Sequence, residues 1–365
     1  MSKTIRIASF NVENLFRRAR IINLTDSDRI RDLLNKYADL NAIIAKKTYT
    51  DANKKQILKH LRDLKHYAKA NVDMGRFVNK KLTKVNANGR GDWAGGVDLV
   101  KQKFNAATRG NTARVIKEAN ADILCVIEAE NRPTLHRFSK DLLKQTQKFK
   151  KYPFNILIDG NDTRGIDVGL YSRYPIRSIR TNIFDDDGSR SVFSRDCLEV
   201  EIDVGLHETL WVLINHLKSK GYGKPKDNDA RRKAQATRVK EILKERHNVE
   251  NGYVVVAGDM NDLPGSAPLR PMVKQSGLHD VLEWKFKGDM KERWTYEYRG
   301  GLNQIEYILV SSPLKHALVD AGVLRRGIYD IDKITNGAVK RYDTIKRPTE
   351  AASDHGLVFA DLKLP

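Results

Sequence analysis

Polar residues suited to acid–base and metal chemistry lie at the ends of the apolar, strand-like segments of this sequence. The pattern occurs six times, and the residues concerned are Asn11 and Glu13, Glu128, Asn215 and His216, Asp259 and Asn261, Glu306, and Asp354 and His355. Asp or Asn after a single strand usually forms a turn. Six such endings in one chain favour a shared site, because the ends of packed strands meet on a common rim where sites are assembled.

The oxygen-bearing members of this set suit a hard divalent cation. Asn11, Glu128 and Asp354 offer amide and carboxylate oxygens, which are the ligands that Mg²⁺ and Mn²⁺ prefer. The sequence therefore predicts a metal site that uses these three residues.

The histidines and the remaining carboxylates suit proton transfer at a phosphate. His216 and His355 can donate protons to phosphate oxygens, and a carboxylate such as Glu306 can fix the tautomer of a histidine and favour its charged form. Asp259 and Asn261, two residues apart, can accept a proton from water and orient it. Serine and cysteine do not occur in a nucleophile-elbow or reactive-thiol context, so water is the expected nucleophile. Together these residues predict metal-assisted hydrolysis of a phosphate ester.

The elements that must position these residues are short apolar strands alternating with a few helices. Helices are predicted at 112–119 and 226–246, and strands at 4–10, 122–127, 155–158, 166–172, 197–203, 210–215, 253–257, 305–310 and 357–362. Some strands alternate and others are apolar throughout, which favours two packed sheets with helices outside.

The charge of the chain is concentrated in one segment. The net charge is +20, and residues 17–110 carry twenty-two Lys and Arg against nine Asp and no Glu, a net charge of +13. This excess predicts an anionic partner. The segment contains two apolar stripes at helical spacing with candidate N-caps, Ile30 to Ile44 after Asp26 or Ser27 and Ile57 to Ala68 after Thr50.

Other protein classes fit the sequence poorly. No apolar run is long enough for a transmembrane helix, and the first residues alternate like a strand rather than forming a signal peptide, so we expect a cytoplasmic protein. Cys125 and Cys197 lie in strand-like runs without zinc-ligand spacing. They therefore imply neither a disulfide framework nor a structural zinc site.

Six motifs, in this order, resemble those of the endonuclease/exonuclease/phosphatase superfamily, which has the DNase I-like fold. They are Asn11-Val-Glu-Asn-Leu-Phe, Glu128-Ala-Glu-Asn, Gly165-Ile-Asp-Val-Gly-Leu-Tyr-Ser-Arg, Asn215-His-Leu-Lys-Ser, Gly258-Asp-Met-Asn-Asp and Ser353-Asp-His. The resemblance covers residues 4–16 and about 112–362. It implies an α/β fold in four layers, with two packed mixed β-sheets flanked by helices, as a single catalytic domain over residues 1–365 interrupted by a basic helical insertion at about 17–110.

The resemblance also implies roles for individual residues. Glu128 would be the main ligand of Mg²⁺ or Mn²⁺, with Ca²⁺ as an alternative, helped by Asn11 and Asp354. At the phosphate, His355 would contact the scissile group and Asp259 would activate the attacking water. Asn261 would contact a phosphate oxygen, and His216 would act as general acid near the leaving oxygen. The candidate substrate-binding residues are Arg164, Lys218 and Glu13.

One residue departs from the family pattern. The family usually has aspartate where this chain has Glu306, the carboxylate expected to hold His355. One added methylene moves the carboxylate by about 1 Å, and a misplacement of that size can cost about a hundredfold in rate. A catalytically weakened, nucleic-acid-binding member is therefore one alternative.

The location of the charge favours a nuclease, and we expect this nuclease to act on DNA in preference to RNA. Lys and Arg of segment 17–110 would neutralise the phosphates of a nucleic-acid backbone. The other alternative is a phosphatase or phosphodiesterase that acts on inositol phosphates or phospholipids, which a basic surface would also suit. The aromatic residues of the segment, Tyr37, Tyr49, Tyr67, Phe77 and Trp93, could stack on unpaired bases or pack a small core of their own. Packing is the better explanation for Tyr37 and Tyr67, which lie on or beside the apolar stripes.

Overall fold

The computed structural model describes residues 2–13, 15, 17–21, 24, 26–103, 105–162, 164–221 and 223–365. Asn14 and Phe16 of the first motif lie outside these described residues. The strands are β1 (Lys3–Asn11), β2 (Arg17–Ala19), β3 (Ala68–Gly75), β4 (Trp93–Leu99), β5 (Lys101–Lys103), β6 (Ile123–Ala129), β7 (Phe154–Leu157), β8 (Asp167–Ser172), β9 (Ile176–Arg180), β10 (Cys197–Ile202), β11 (Leu210–His216), β12 (Tyr253–Asp259), β13 (His279–Asp280), β14 (Tyr296–Tyr298), β15 (Gly301–Asn303), β16 (Glu306–Val310), β17 (Leu318–Leu324) and β18 (Leu357–Leu364).

The helices are fewer, and most of them are short. They are α1 (Ser27–Ile44), α2 (Asp51–Asp63), α3 (Ala106–Ala119), α4 (Arg132–Leu142), α5 (Pro225–Arg246), α6 (Arg270–Val273), α7 (Val281–Phe286), α8 (Met290–Arg293), α9 (Ser312–His316) and α10 (Ile331–Ile334), with 3₁₀ turns at Arg90–Asp92 and Pro348–Glu350. None of the helices within the described ranges is both long and apolar enough to cross a bilayer.

The chain divides into two compact units, Met1–Phe16 with Phe104–Ser219 and Lys226–Pro365, and Arg17–Lys103 with Lys220–Pro225. The larger one, called unit 1 here, contains two six-stranded sheets in the orders β17-β18-β1-β6-β8-β7 and β13-β16-β12-β11-β10-β9. Each sheet has one parallel pair at its centre, β1 with β6 and β11 with β12. The adjoining pairs are antiparallel, so both sheets are mixed.

The two sheets pack face to face and helices cover their outer faces. Fully buried residues of both sheets, such as Ile7 and Ile127 on one and Val212 and Val255 on the other, form one apolar cluster. Burying each such side chain stabilises the folded state by about 1.5–3 kcal/mol. Helices α3 and α4 pack on the outer face of the first sheet and α5 on that of the second. This arrangement confirms the predicted fold class, two packed mixed sheets flanked by helices.

The smaller unit, called unit 2, has a core of its own built from α1, α2 and the β3–β4 hairpin. Asp26 and Thr50 cap the two helices, as the sequence predicts. The insertion contains this hairpin in addition to the two predicted helices, and residues 106–110 belong to α3 of unit 1. The hairpin escaped prediction because Gly95 interrupts its apolar pattern. Gly95 has φ +127°, and a Cβ there would lie 2.1 Å from the carbonyl oxygen of Asn71.

The aromatic residues of unit 2 pack its core. Tyr37, Tyr49, Phe77 and Trp93 are each at most 5% exposed, and the rings of Phe77 and Trp93 stack with their centroids 4.0 Å apart. Tyr67 is partly buried against the same cluster. These buried rings are therefore engaged in packing and are not free to stack on bases.

Candidate active site

The residues predicted to do chemistry meet where strands of both sheets end. Asn11 is the last residue of β1 and lies beside Ile127 in the parallel neighbour β6. In the other sheet, Asp259 at the end of β12 pairs with His216 at the end of β11 and with Glu306 at the start of β16. The strand register thus brings the ends of four strands to one rim in unit 1.

Two unusual backbone conformations shape this rim. Gly258 has φ +140°, and a Cβ at this position would lie 1.9 Å from the carbonyl oxygen of Asn215, so only glycine lets β12 approach β11 here. Glu128 has φ +69° at an irregularity between Ile127 and Ala129 in the pairing of β6 with β8. A non-glycine residue in this region is strained, and such strain is concentrated at functional sites.

Asp259 is the centre of the cluster. Its Oδ2 accepts a hydrogen bond from Nδ2 of Asn11 at 3.2 Å, and its Oδ1 accepts one from the backbone N–H of Asn261 at 2.8 Å. Burial and the nearby carboxylate of Glu306 raise the pKa of Asp259 to about 7, although His355 acts in the opposite direction. A carboxylate with a pKa near neutrality is well suited to accept a proton from water.

His355 and Glu306 form a buried ion pair. A carboxylate oxygen of the fully buried Glu306 contacts Nδ1 of His355 directly, so the longer side chain at this position still reaches the histidine. Burial by itself lowers the pKa of His355, but the carboxylates of Glu306, Asp354 and Asp259 outweigh it and raise this pKa well above its ordinary value. The imidazole is therefore held in its charged form, which can stabilise negative charge on a phosphate.

Tyr296 and Thr295 support this pair. The rings of Tyr296 and His355 stack with their centroids 4.9 Å apart and an interplanar angle of 30°, and the two residues form an isolated antiparallel bridge. The hydroxyl of Thr295 accepts a hydrogen bond from the backbone N–H of Glu306 at 3.2 Å. Both partners of the ion pair are thus fixed by the same short segment.

His216 lies between two carboxylates of the cluster. Its Nε2 is 3.6 Å from Oδ2 of Asp259 and 3.8 Å from Oε1 of Glu128. Burial, and next the guanidinium groups of Arg195 and Arg164, lower the pKa of His216 well below its ordinary value. This direction favours a neutral imidazole that donates a hydrogen bond over the predicted general acid.

Arg164 and Lys218, the predicted substrate-binding cations, belong to a second group of charges. Arg164 pairs with Asp162 at 2.7 Å, and the almost fully buried Arg195 pairs with the same carboxylate at 3.0 Å. Burial and then Arg164, Arg195 and Arg231 lower the pKa of Lys218 to about 7, although Asp162 raises it.

Three further predicted residues lie at the edge of the cluster. Nδ2 of Asn261 donates to the carbonyl oxygen of Leu217 at 3.1 Å. The side chain of Asp354 is 51% exposed and its Oδ1 is 3.5 Å from Nε2 of His355. The backbone N–H of Glu13 donates to Oδ1 of Asn11 at 3.0 Å. The structure thus leaves the carboxylate of Asp354 accessible and shows Glu13 contacting the site through its backbone.

The donor set fits a hard divalent cation. One carboxylate oxygen each of Asp259 and Glu306 and one ring nitrogen of His355 lie within 4.8 Å of one another, and the nitrogen could bind a cation only when His355 is deprotonated. Oε2 of Glu306 is buried and has no hydrogen-bond partner within the described part of the chain. Buried carboxylates this close together repel one another, and a cation would relieve that repulsion. Of the predicted ligands, Asn11 lies next to Asp259 and Glu128 lies next to His216, and both supply further oxygen atoms.

Sequence reasoning missed several residues that support the site. Tyr296 and Thr295 belong to the run Trp-Thr-Tyr, ten residues before the strand that starts at Glu306, and Arg195 directly precedes Asp196 and the strand β10. An arginine or tyrosine just outside a predicted strand is the only signal that the sequence offered. Neither residue type is diagnostic there, because both are common on surfaces.

Comparisons with solved structures agree with the fold described above. A protein of the endonuclease/exonuclease/phosphatase family from Bacteroides thetaiotaomicron matches with a TM-score of 0.52 and 13% sequence identity, covering 100% of this chain and 99% of that one. At this identity the likeness concerns the fold. Truncated TDP2 from Caenorhabditis elegans (TM-score 0.48, 16% identity, 71% of this chain and 92% of that one) and an AP endonuclease from Archaeoglobus fulgidus (0.48, 17%, 69% and 93%) are also similar.

Sequence comparison identifies the family. No match is found among curated protein sequences. The model of the endonuclease/exonuclease/phosphatase family matches residues 71–355, a range that contains Glu128, His216, Asp259, Glu306 and His355. Members of this family are generally metal-dependent hydrolases of phosphodiesters. This chain belongs to the endonuclease/exonuclease/phosphatase family.

Proposed function

We propose that this protein is a nuclease dependent on Mg²⁺ or Mn²⁺ that hydrolyses phosphodiester bonds of DNA in preference to RNA. The observation that carries the proposal is the cluster of Asp259 with the buried ion pair of Glu306 and His355. In this cluster a carboxylate whose pKa lies near neutrality is close to a histidine held in its charged form. These are the two groups that an attack by water on a phosphate requires.

Each residue of the cluster has its own role in an in-line displacement at the phosphate. Asp259 accepts a proton from the attacking water and is itself held by the backbone N–H of Asn261, whose side chain contacts a phosphate oxygen. His355, held by Glu306, donates hydrogen bonds to a non-bridging oxygen of the scissile phosphate. His216 lies between Asp259 and Glu128. Its neutral ring donates a hydrogen bond to the leaving oxygen.

A divalent cation would be held by Glu128 with Asn11 and Asp354, as the sequence predicts, with Ca²⁺ as an alternative to Mg²⁺ or Mn²⁺. When bound, it would neutralise charge on the phosphate and lower the pKa of a coordinated water. Glu128 is suited to this role because its carboxylate is only 18% exposed and faces the cluster.

Unit 2 supports nucleic acid as the substrate. It comprises most of the segment that carries a net charge of +13, and its buried core leaves cations such as Lys55, Lys59 and Arg62 of α2 exposed. Exposed cations on one helix can neutralise backbone phosphates without reading base sequence. We propose that unit 2 contributes affinity for DNA in this way.

A substrate panel tests the function. Supercoiled plasmid, single-stranded DNA, an abasic duplex, RNA, sphingomyelin and an inositol polyphosphate are incubated with the protein in Mg²⁺, in Mn²⁺ and in EDTA. We expect cleavage of DNA that EDTA abolishes and that Asp259→Asn reduces by about a thousandfold or more. The control is Asp141→Asn, a surface carboxylate of α4, which should cleave like the wild type.

Two outcomes contradict the proposal. Hydrolysis of sphingomyelin or the inositol polyphosphate, without hydrolysis of any nucleic acid, would show that the protein is one of the other phosphoesterases and not a nuclease. Cleavage by Asp259→Asn at the wild-type rate would show that the assigned cluster is not the catalytic site.

A further inference from the structure

A phenylalanine of unit 1 is exposed to solvent in a loop that follows one of the site's neighbouring strands. Phe184 is 82% exposed, more than any other large apolar side chain in the part of the chain that the structure describes. It lies in loop 181–196, which connects β9 to β10. Burial of this ring against a ligand would be favourable, because it would remove apolar surface from water.

The strand register places loop 181–196 on the same rim as the catalytic cluster. Strand β10 is antiparallel to β11 with Cys197 opposite Asn215, and β9 is antiparallel to β10. Strand β10 therefore starts, and β9 ends, at the rim where His216 ends β11. Because neighbouring strands are about 4.8 Å apart, the end of β9 lies about 14 Å from that of β12, which carries Asp259. A stacked strand that rises about 3.4 Å per nucleotide spans this distance in about four nucleotides.

Hydrogen bonds hold the loop on both sides of Phe184. The side chain of Asn161 donates to the carbonyl oxygens of Ile183 and Phe193, at 2.7 and 3.2 Å. The carboxylate of Asp185 accepts a hydrogen bond from Nε of Arg238 on α5 at 2.7 Å. The ring is thus carried by a segment that is already ordered, so a ligand that contacts it does not have to order the loop.

The last part of the loop is bonded to the site itself. Nη1 of Arg195 donates to the carbonyl oxygen of Leu217 at 3.3 Å, and Nδ2 of Asn261 donates to the same oxygen at 3.1 Å. Asn261 is the residue expected to contact a phosphate oxygen of the substrate. A strand bound at that phosphate is therefore within a few nucleotides of Phe184.

The composition of the loop favours a base over a phosphate as the group that contacts the ring. Loop 181–196 carries four aspartates against two arginines, so it does not attract phosphates. Carboxylates accept hydrogen bonds from the amino groups of bases, and every base has a π-face on which an aromatic ring can stack. The same aspartates disfavour an anionic membrane as the partner of the ring.

We propose that Phe184 stacks on an unpaired base of the substrate, within about four nucleotides of the scissile phosphate, and that this contact adds affinity for single-stranded DNA. Within a duplex the faces of a base are covered by its neighbours, so the ring requires an unpaired base. The inference rests on the proposed function and adds a base-binding position to the same site. The rings of unit 2 do not supply this contact, because they pack its core.

The first test compares cleavage of a single-stranded oligonucleotide with cleavage of the same sequence as a duplex. We expect Phe184→Ala to raise the KM for the single strand by about tenfold, the loss expected for one stacked base. The kcat and the KM for the duplex should stay nearly unchanged, and Phe184→Trp, which keeps a flat ring, should retain the wild-type KM. Equal KM values of the wild type and Phe184→Ala on the single strand would overturn the proposal, as would cleavage of the duplex alone.

Phe154→Ala is the matched control. Phe154 is also an exposed phenylalanine of unit 1, at 36%. It is the first residue of β7 and pairs with Ser172, the last residue of β8, so it lies at the end of its sheet away from the rim. Its substitution removes the same ring and should leave both KM values unchanged. A rise in KM like that of Phe184→Ala would show that the effect does not depend on the position of the ring, and would overturn the assignment.

The second test measures stacking without catalysis. 2-Aminopurine is placed at successive positions of a single-stranded oligonucleotide, and its fluorescence is titrated with the protein in EDTA. We expect quenching at one or two adjacent positions that is lost in Phe184→Ala and kept in Phe154→Ala. Quenching that is the same in the wild type and Phe184→Ala at every position would overturn the proposal. Binding to sphingomyelin vesicles that is lost in Phe184→Ala would assign the ring to a membrane instead.

The two tests separate this inference from the proposed function. If no nucleic acid is cleaved but the quenching depends on Phe184, the proposed function fails while the base contact stands. If DNA cleavage depends on Asp259 and neither the KM nor the quenching depends on Phe184, the inference fails and the proposed function stands.

Discussion

Replacing Glu306 by glutamine removes one charge from the centre of the site and changes little else. The carboxamide has the same shape as the carboxylate, and its oxygen can still accept a hydrogen bond from Nδ1 of His355. The backbone N–H of residue 306 also keeps its partner, the hydroxyl of Thr295. Any loss of activity in Glu306→Gln therefore reports the charge of the ion pair rather than its geometry.

The size of the effect follows from the distance. Glu306 contacts His355 directly, and even at 4.8 Å, the upper limit of separation within their group, two opposite unit charges attract by about 3.5 kcal/mol at an effective dielectric constant of about 20. If the charged imidazole is needed in the transition state, losing this attraction slows the reaction by about two to three orders of magnitude. We expect kcat to fall by roughly that factor, with KM nearly unchanged.

The assay is cleavage of supercoiled plasmid at saturating Mg²⁺ as a function of pH. The carboxylate of Glu306 raises the pKa of His355, so in Glu306→Gln the histidine loses its proton at a lower pH. The alkaline limb of the rate profile should shift to lower pH in the variant. Glu241→Gln, a half-exposed carboxylate of α5, is the control and should keep the wild-type profile.

A Glu306→Gln variant that retains the wild-type rate and the same alkaline limb would refute this reasoning. Glu306→Asp provides a second check, because the shorter side chain keeps the charge but withdraws it from His355 by about 1 Å. A displacement of this size can cost about a hundredfold in rate. If Glu306→Asp and the wild type are equally inert on every DNA and RNA substrate with Mg²⁺ or Mn²⁺, the enzyme itself is the wrong hypothesis.

Three further predictions concern stacking, stability and binding. Tyr296→Ala should lower kcat by about tenfold by freeing the ring of His355, whereas Tyr296→Phe should retain activity. Asp162→Asn should lower the free energy of unfolding by about 3 kcal/mol or more at pH 7; because the pKa of this carboxyl is depressed, urea titrations should show the difference shrinking as the pH falls below about 4. Lys55→Glu with Lys59→Glu should weaken DNA binding and flatten the slope of log K against log salt by about 2.

Much of the fold was predictable because its strands are apolar and continuous. The predicted strands at 122–127 and 253–257 correspond to β6 and β12, each extended by the polar residues that form the site. The candidate site residues were proposed from the same regularity, since a carboxylate at the end of a buried strand interrupts an otherwise apolar pattern. Local sequence is informative wherever burial dictates residue type.

The rest depended on contacts between distant parts of the chain. The stacking of Tyr296 on His355 joins residues 59 positions apart in the sequence, and Arg195 reaches the site through Asp162 and Leu217. The direction of the pKa shift of His216 likewise comes from burial and from these arginines. No periodicity encodes such tertiary contacts, which is why the sequence could propose candidate site residues but not the neutral form of His216.

The pairing of β1 with β18 also bears on how the protein is synthesised. Strand β1 lies between β18 and β6, with Lys3 opposite Leu364, and the hydroxyl of Ser353 donates to the carbonyl oxygen of Asn11. On the ribosome, most of unit 2, and with it most of the excess positive charge, is translated before β6 and the strands that follow it. Glu306, His355 and the partner strand of β1 are translated about 200 residues or more after unit 2. The positively charged unit 2 is thus synthesised before the candidate site, which is completed only once residues 306–364 have left the exit tunnel.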